Sequence, residues 1–145
     1  MSKIVAIDYG KKRVGFAISD ETLTFAFGLS TQENKNALQY IINLIEKEKI
    51  ETIIIGYPKN LNNELMDLTK AIDTFIKQIQ KKYSSITIEK LDERFTSKLA
   101  FQSMIDSGLK KKQRQNKALV DEISATILLQ DYITQLAFRK KQNNS

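Results

Sequence analysis

The chain has 145 residues, enough for one domain with its own core. It holds 23 Lys and Arg against 17 Asp and Glu, a formal charge of +6 that favours polyanionic partners, and it has no cysteine and no histidine. Those two absences exclude disulfides, thiol nucleophiles, Cys/His zinc sites and every Ser-His-Asp arrangement, so hydrolysis here would need carboxylates, lysines, hydroxyls or a metal held by oxygen.

Residues 3 to 9 (KIVAIDY) are β-branched and nearly all apolar, the pattern of a central strand covered on both faces. Residues 13 to 19 (RVGFAIS) and 22 to 29 (TLTFAFGL) are two further strands, joined through short polar links at Gly10 to Lys12 and at Asp20 to Glu21. The period then changes. Leu38, Ile41, Ile42 and Ile45 recur at helical spacing and predict a helix over 33–48. TIIIG at 52–56 is a short buried strand, stopped by Gly56 and Pro58. Leu65, Leu68, Ile72, Phe75, Ile76 and Ile79 form one stripe of a helix over about 65–82, preceded by Asn62 and Asn63, which tolerate a positive φ. ITIEKL at 86–91 is a fifth strand, Thr96 caps a helix over 97–107 that ends at Gly108, and a last helix runs over about 118–138.

The order is three antiparallel strands, helix, strand, helix, strand and two helices. Strands that each follow a helix are added in parallel by right-handed crossovers. The expected fold is α/β and ribonuclease H-like: a mixed five-stranded sheet, three strands antiparallel and two parallel, flanked by about four helices. Residues 1–138 read as one domain, and 139–145 as a frayed basic polar tail. The longest apolar run is four residues, IVAI, far short of a membrane span, and no signal peptide is evident, so a cytoplasmic location is expected.

In an open α/β sheet, ligands gather outside the carboxyl ends of the parallel strands. Asp8 ends the first strand, Asp92 and Glu93 end the fifth, and the loop GYPKN leaves the fourth at the same edge. On the last helix, Asp121 shares a face with Ser124, Ala125, Leu128 and Tyr132. That face is small beside the aspartate and apolar beyond it, which turns Asp121 toward the sheet, where a charge is costly unless paired or on a metal. Glu122, whose face carries Thr126 and Gln130, is expected to meet water. Plainer roles stand beside these: Asp121 as a first-turn acid on the helix dipole, Asp8 as a turn residue before Gly10, and Glu93 as a surface partner of Arg94. If the three acids meet, their oxygen-only coordination suits Mg²⁺ or Mn²⁺. Two such ions about 3.5 to 4 Å apart could clamp a phosphodiester, generate the attacking hydroxide and stabilise the leaving oxygen.

Four segments in this order, IVAIDYGKKRVGFAISD, GYPKN, LDERFTS and KALVDEISATILLQDYI, resemble the signature segments of the YqgF family, also called RuvX. Its members are known as Holliday junction resolvases and are linked to pre-16S ribosomal RNA maturation. The likeness covers the chain to about residue 138. It implies a ribonuclease H-like fold and metal-dependent hydrolysis of a phosphodiester in pre-rRNA or branched DNA. It also puts the family's acids on Asp8, Glu93 and Asp121, as catalytic residues and ligands of a pair of Mg²⁺ or Mn²⁺ ions. After GYPKN the chain departs from the family, reading LNNELMD where a glycine is common.

Lys110, Lys111, Lys112, Arg114 and Lys117 place five cations in eight residues just ahead of Asp121. They form either a solvated loop or a sequence-independent grip on a phosphate backbone. Lys117, Lys12 and Arg13 match the family pattern, and Arg94 and Asn60 are further candidates for contact with nucleic acid. Two other readings compete. The aspartate, glycine and hairpin also resemble the first phosphate motif of actin- and Hsp70-like ATPases, but those bind nucleotide between two such domains and this chain has length for one. A noncatalytic RNA-binding ribosome-assembly factor on the same fold is the other alternative. A P-loop is excluded, because Phe16 and Ala17 stand where its Lys and Ser/Thr belong. The expected partner is nucleic acid and not a membrane, with the protein a monomer or a homodimer.

Overall fold

The computed structural model describes residues 2–58, 62–92 and 117–143. Its strands are β1 (Lys3–Tyr9), β2 (Arg13–Ser19), β3 (Ala26–Glu33), β4 (Ile50–Tyr57) and β5 (Thr87–Asp92). They form one sheet in the order β3-β2-β1-β4-β5. β1 pairs antiparallel with β2 and parallel with β4, β3 continues the antiparallel half beyond β2, and β5 continues the parallel half beyond β4. The described helices are α1 (Asn34–Lys47), α2 (Asn63–Lys82) and α3 (Lys117–Asn143). This is the mixed sheet expected from the element order. The expected helix over 97–107, with its cap Thr96 and its stop Gly108, lies outside the described residues.

Each face of the sheet has its own core. Val5, Ile7, Phe16, Ile53 and Ile55 pack against Ile41 of α1 and Ile72, Phe75 and Ile79 of α2. Ile4, Ala6, Ala17 and Ile54 pack on the opposite face against Ala125, Leu128, Leu129, Tyr132 and Ile133 of α3. β1 is thus covered on both sides, which is why its sequence is a continuous apolar run and not an alternation. Burying a side chain such as Ile54 or Leu129 stabilises the fold by roughly 1.5 to 3 kcal/mol. None of the described helices is long and apolar enough to cross a membrane.

The third strand departs from expectation by four residues, running over Ala26–Glu33 instead of 22–29. The cause is the Asp20 carboxylate. It accepts hydrogen bonds from the backbone of Thr24 (2.8 Å) and Phe25 (2.9 Å) and from the Thr22 hydroxyl, and so organises residues 20–25 as a turn. Leu23 completes that turn at φ 56°, the one positive φ outside glycine among the described residues. The polar residues Ser30 to Glu33 stay in the strand because each pairs with β2. At the start of α2, Asn62 needs no positive φ: it is extended (φ −114°) and caps the helix, its side chain accepting from Leu65 N at 2.9 Å.

Candidate active site between the first hairpin and the last helix

Pleating fixes the direction of Asp8. Ile4 and Ala6 belong to the core beneath α3, and Asp8 is the next residue of β1 on that face. Its cross-strand partner is Gly15. A Cβ built on Gly15 would stand 2.3 Å from the carbonyl oxygen of Asp121 and 2.6 Å from its carbonyl carbon. Only hydrogen fits there. The absence of a side chain therefore lets the second turn of α3 rest on β2 directly opposite Asp8, and both carboxylates lie on one face of the sheet, at the carboxyl end of β1; Asp121, the fifth residue of α3, is not the first-turn acid of the plainer reading.

Arg13 begins β2 on the same face. Its Nε donates to Asp121 Oδ2 at 3.0 Å, and the two side chains keep 33% and 24% of their exposure. Neither group is fully desolvated, so the pair orients the carboxylate more than it stabilises the fold. The hairpin behind it is tight. Gly10 N donates to Arg13 O at 2.9 Å, and Asn34 at the start of α1 holds the turn through Gly10 O (2.7 Å) and Lys12 O (2.9 Å).

The face of α3 behind Asp121 is buried: Ser124 1%, Ala125 0%, Leu128 6% and Tyr132 8% exposed. Ser124 Oγ has no hydrogen-bond partner among the described residues. Glu122, expected to meet water, is partly exposed and partly covered. Its Cγ would lie 2.9 Å from a Cβ on Gly28, and the same side of the helix holds Gln130, which accepts from Ala26 N (3.0 Å) and donates to Thr24 O (3.2 Å). α3 lies across the whole hairpin half of the sheet, so the side expected to be wet packs on β3.

Of the other candidates, Lys12 is exposed at the hairpin turn. Lys117 is the first residue of α3. Glu93, Asn60, Arg94, Lys110, Lys111, Lys112 and Arg114 lie outside the described residues. Among the described residues no group of three or more His, Cys, Asp or Glu is gathered. Asp8 and Asp121 offer hard oxygen donors in a chain without histidine or cysteine, which fits Mg²⁺ or Mn²⁺ and not zinc.

Sequence reasoning missed Gly15 and the partner of Arg13. Gly15 had no part in the site as read from the sequence; a glycine in the middle of an otherwise apolar strand was the signal that another backbone approaches there. Arg13, a candidate for contact with nucleic acid, also meets Asp121. A third group flanks the parallel half at the root of the GYPKN loop. Lys90 of β5 meets Asp73 of α2 at 2.8 Å and lies 4.6 Å from the Tyr57 ring centroid, while the Tyr57 hydroxyl donates to Asp73 at 3.3 Å.

A family model described as "RuvX: Holliday junction resolvase" matches residues 2–135. The chain belongs to the RuvX family. Similar proteins include one from Flavobacterium psychrophilum, 54% identical over 92% of this chain and 98% of its own length. Another, from Bacteroides thetaiotaomicron, is 51% identical over 95% and 100%, and both bear the name "Putative pre-16S rRNA nuclease". Among solved structures, Thermus-type RuvC, described as "T. thermophilus RuvC in complex with Holliday junction substrate", superposes with a TM-score of 0.59 at 13% identity, over 94% of this chain and 96% of its own. At that identity the likeness speaks for the fold: this RuvX chain has the ribonuclease H-like architecture that its element order predicts.

Proposed function

We propose that this protein is a metal-dependent endonuclease that hydrolyses phosphodiesters of structured nucleic acid, with 5'-end processing of pre-16S rRNA in the cytoplasm as its task. The observation that supports the reading is the approach of the second turn of α3 to Gly15, the cross-strand partner of Asp8, which sets two carboxylates on one face at the carboxyl end of a parallel strand in a RuvX chain. Asp8, Asp121 and Glu93, the residue that follows β5, would hold Mg²⁺ or Mn²⁺, which when bound supplies a hydroxide nucleophile and neutralises charge on the phosphate. Lys12, Asn60, Arg94, Lys110, Lys111, Lys112, Arg114 and Lys117 supply contacts to the phosphate backbone, which fix orientation without reading bases. RNA is favoured by the names of the relatives and a four-way junction by the description of the family, while the likeness to RuvC bears on fold alone.

The test is incubation of the purified protein with precursor ribosomal RNA, single-stranded RNA and four-way DNA junctions in Mg²⁺ or Mn²⁺, beside Asp121→Asn. Cleavage of the precursor RNA by the wild type alone supports the proposal. Cleavage of the junction alone moves the substrate to DNA. Cleavage by neither protein, with RNA still bound, replaces the nuclease with a noncatalytic assembly factor.

A further inference from the structure

We infer that Arg13 is an internal competitor of the metal: it occupies Asp121 until a substrate phosphate draws its guanidinium away, so that metal and nucleic acid load together. The inference rests on the reading of Asp121 as a metal ligand. It is carried by the 3.0 Å bond from Arg13 Nε to Asp121 Oδ2 and by the backbone contact that keeps the two elements bearing the pair together. Because Gly15 lets the second turn of α3 rest on β2, the backbone of Asp121 stays beside the strand that bears Arg13, and a dication arriving at that carboxylate meets the guanidinium already there.

Two effects of Arg13 oppose each other. It fixes the carboxylate rotamer, which favours the metal by a few-fold at most, about the freedom of one or two side-chain torsions. It also places a positive charge within a few ångströms of a divalent one, a repulsion that reaches roughly tenfold in affinity even at a partly exposed site. Repulsion wins. A phosphate is the natural relief, since guanidinium binds phosphate in the same forked geometry as carboxylate. Lys11 and Lys12, exposed on the turn immediately before Arg13, attract a polyanion to that end of the hairpin. By linkage, metal bound at Asp121 tightens nucleic acid by the same factor.

The experiment is a Mn²⁺ titration of wild type, Arg13→Gln, Arg13→Lys and Asp121→Asn, with folding checked by thermal melting in EDTA, and each titration repeated with a short single-stranded DNA oligonucleotide. Arg13→Gln is expected to bind Mn²⁺ about tenfold more tightly than wild type and to lose the enhancement by oligonucleotide that wild type shows. Loss of a purely structural contact would not raise metal affinity. Arg13→Lys, which retains the charge, is expected to stay near wild type. Equal or weaker binding by Arg13→Gln, or tightening in Arg13→Lys as well, overturns the inference and leaves the metal-site reading intact. Unchanged Mn²⁺ binding by Asp121→Asn overturns the metal-site reading itself.

Discussion

Gly15 and Asp121 are in backbone contact: a Cβ on the glycine would stand 2.3 Å from the aspartate's carbonyl oxygen. The obstacle is main chain, so no rotamer change relieves it. Gly15→Ala must lift the second turn of α3 from the sheet and loosen the seating of Ala125 and Leu129, both fully buried. The expected cost is about 3 kcal/mol or more, read as a shift of the urea or thermal unfolding midpoint. A loss below about 0.5 kcal/mol would show that the helix does not rest there.

Asp8→Asn preserves shape while removing a charge at a partly exposed position. Cleavage in Mg²⁺ or Mn²⁺ should fall roughly a thousand-fold or more, with the melting temperature in EDTA unchanged or raised. Measuring both quantities on one preparation separates lost chemistry from lost fold. Cleavage at the wild-type rate would remove Asp8 from the site.

Alkaline pH should weaken the fold through Tyr132. Burial, then the hydrogen bond from its hydroxyl to Glu89, pushes its pKa up to about 12, against an unfolded value near 10.0. Between those values the unfolded chain sheds the proton first, so the contribution is whole below pH ~10 and lost as pH rises toward ~12. It amounts to at most about 3 kcal/mol. Tyr83, bonded to Glu46 and likewise raised to about 12, and Lys90, raised by its hydrogen bond to Asp73, act in the same direction. Urea melts of Tyr132→Phe between pH 9 and 11.5 should therefore show a shallower decline than wild type, not a flat one.

The basic segment before α3 is tested by salt. Replacing Lys110, Lys111 and Lys112 together by Gln, in the Asp8→Asn background to prevent cleavage, should weaken RNA binding. It should also flatten the plot of log affinity against log salt by about 2 units. An unchanged slope would mark the segment as a solvated loop.

Legibility of this fold in its sequence follows the physics of each element. β1 and β4 were readable because both faces are covered, which favours unbroken apolar runs, IVAI in β1 and III in β4. Asp121 was readable because its helical neighbours, Ser124, Ala125, Leu128 and Tyr132, are small or apolar, and all four prove buried. β3 was misplaced because one side chain, Asp20, converts apparent strand residues into a turn, and because the polar run Ser30 to Glu33 carries no apolar alternation. The contact of Arg13 with Asp121 and the close approach at Gly15 were not readable because they arise only when a helix more than a hundred residues further along the chain arrives. Glu122 is covered in part because a helix lying across three strands is covered over more of its circumference than one lying along a single groove.

That separation also orders events during synthesis. All five strands and the first helices leave the ribosome before α3, which alone among the described elements brings Asp121 to Asp8 and covers Ile4, Ala6, Ala17 and Ile54. Until α3 emerges, the nascent chain exposes an apolar sheet face and holds Asp8 without Asp121 beside it. A product broken off before residue 117 lacks Asp121 and the cover of that face, so under the proposed function it is expected to be both inert and prone to aggregate. For an enzyme read as cutting the RNA of the ribosome that makes it, such a fragment is disarmed by the order of its own chain.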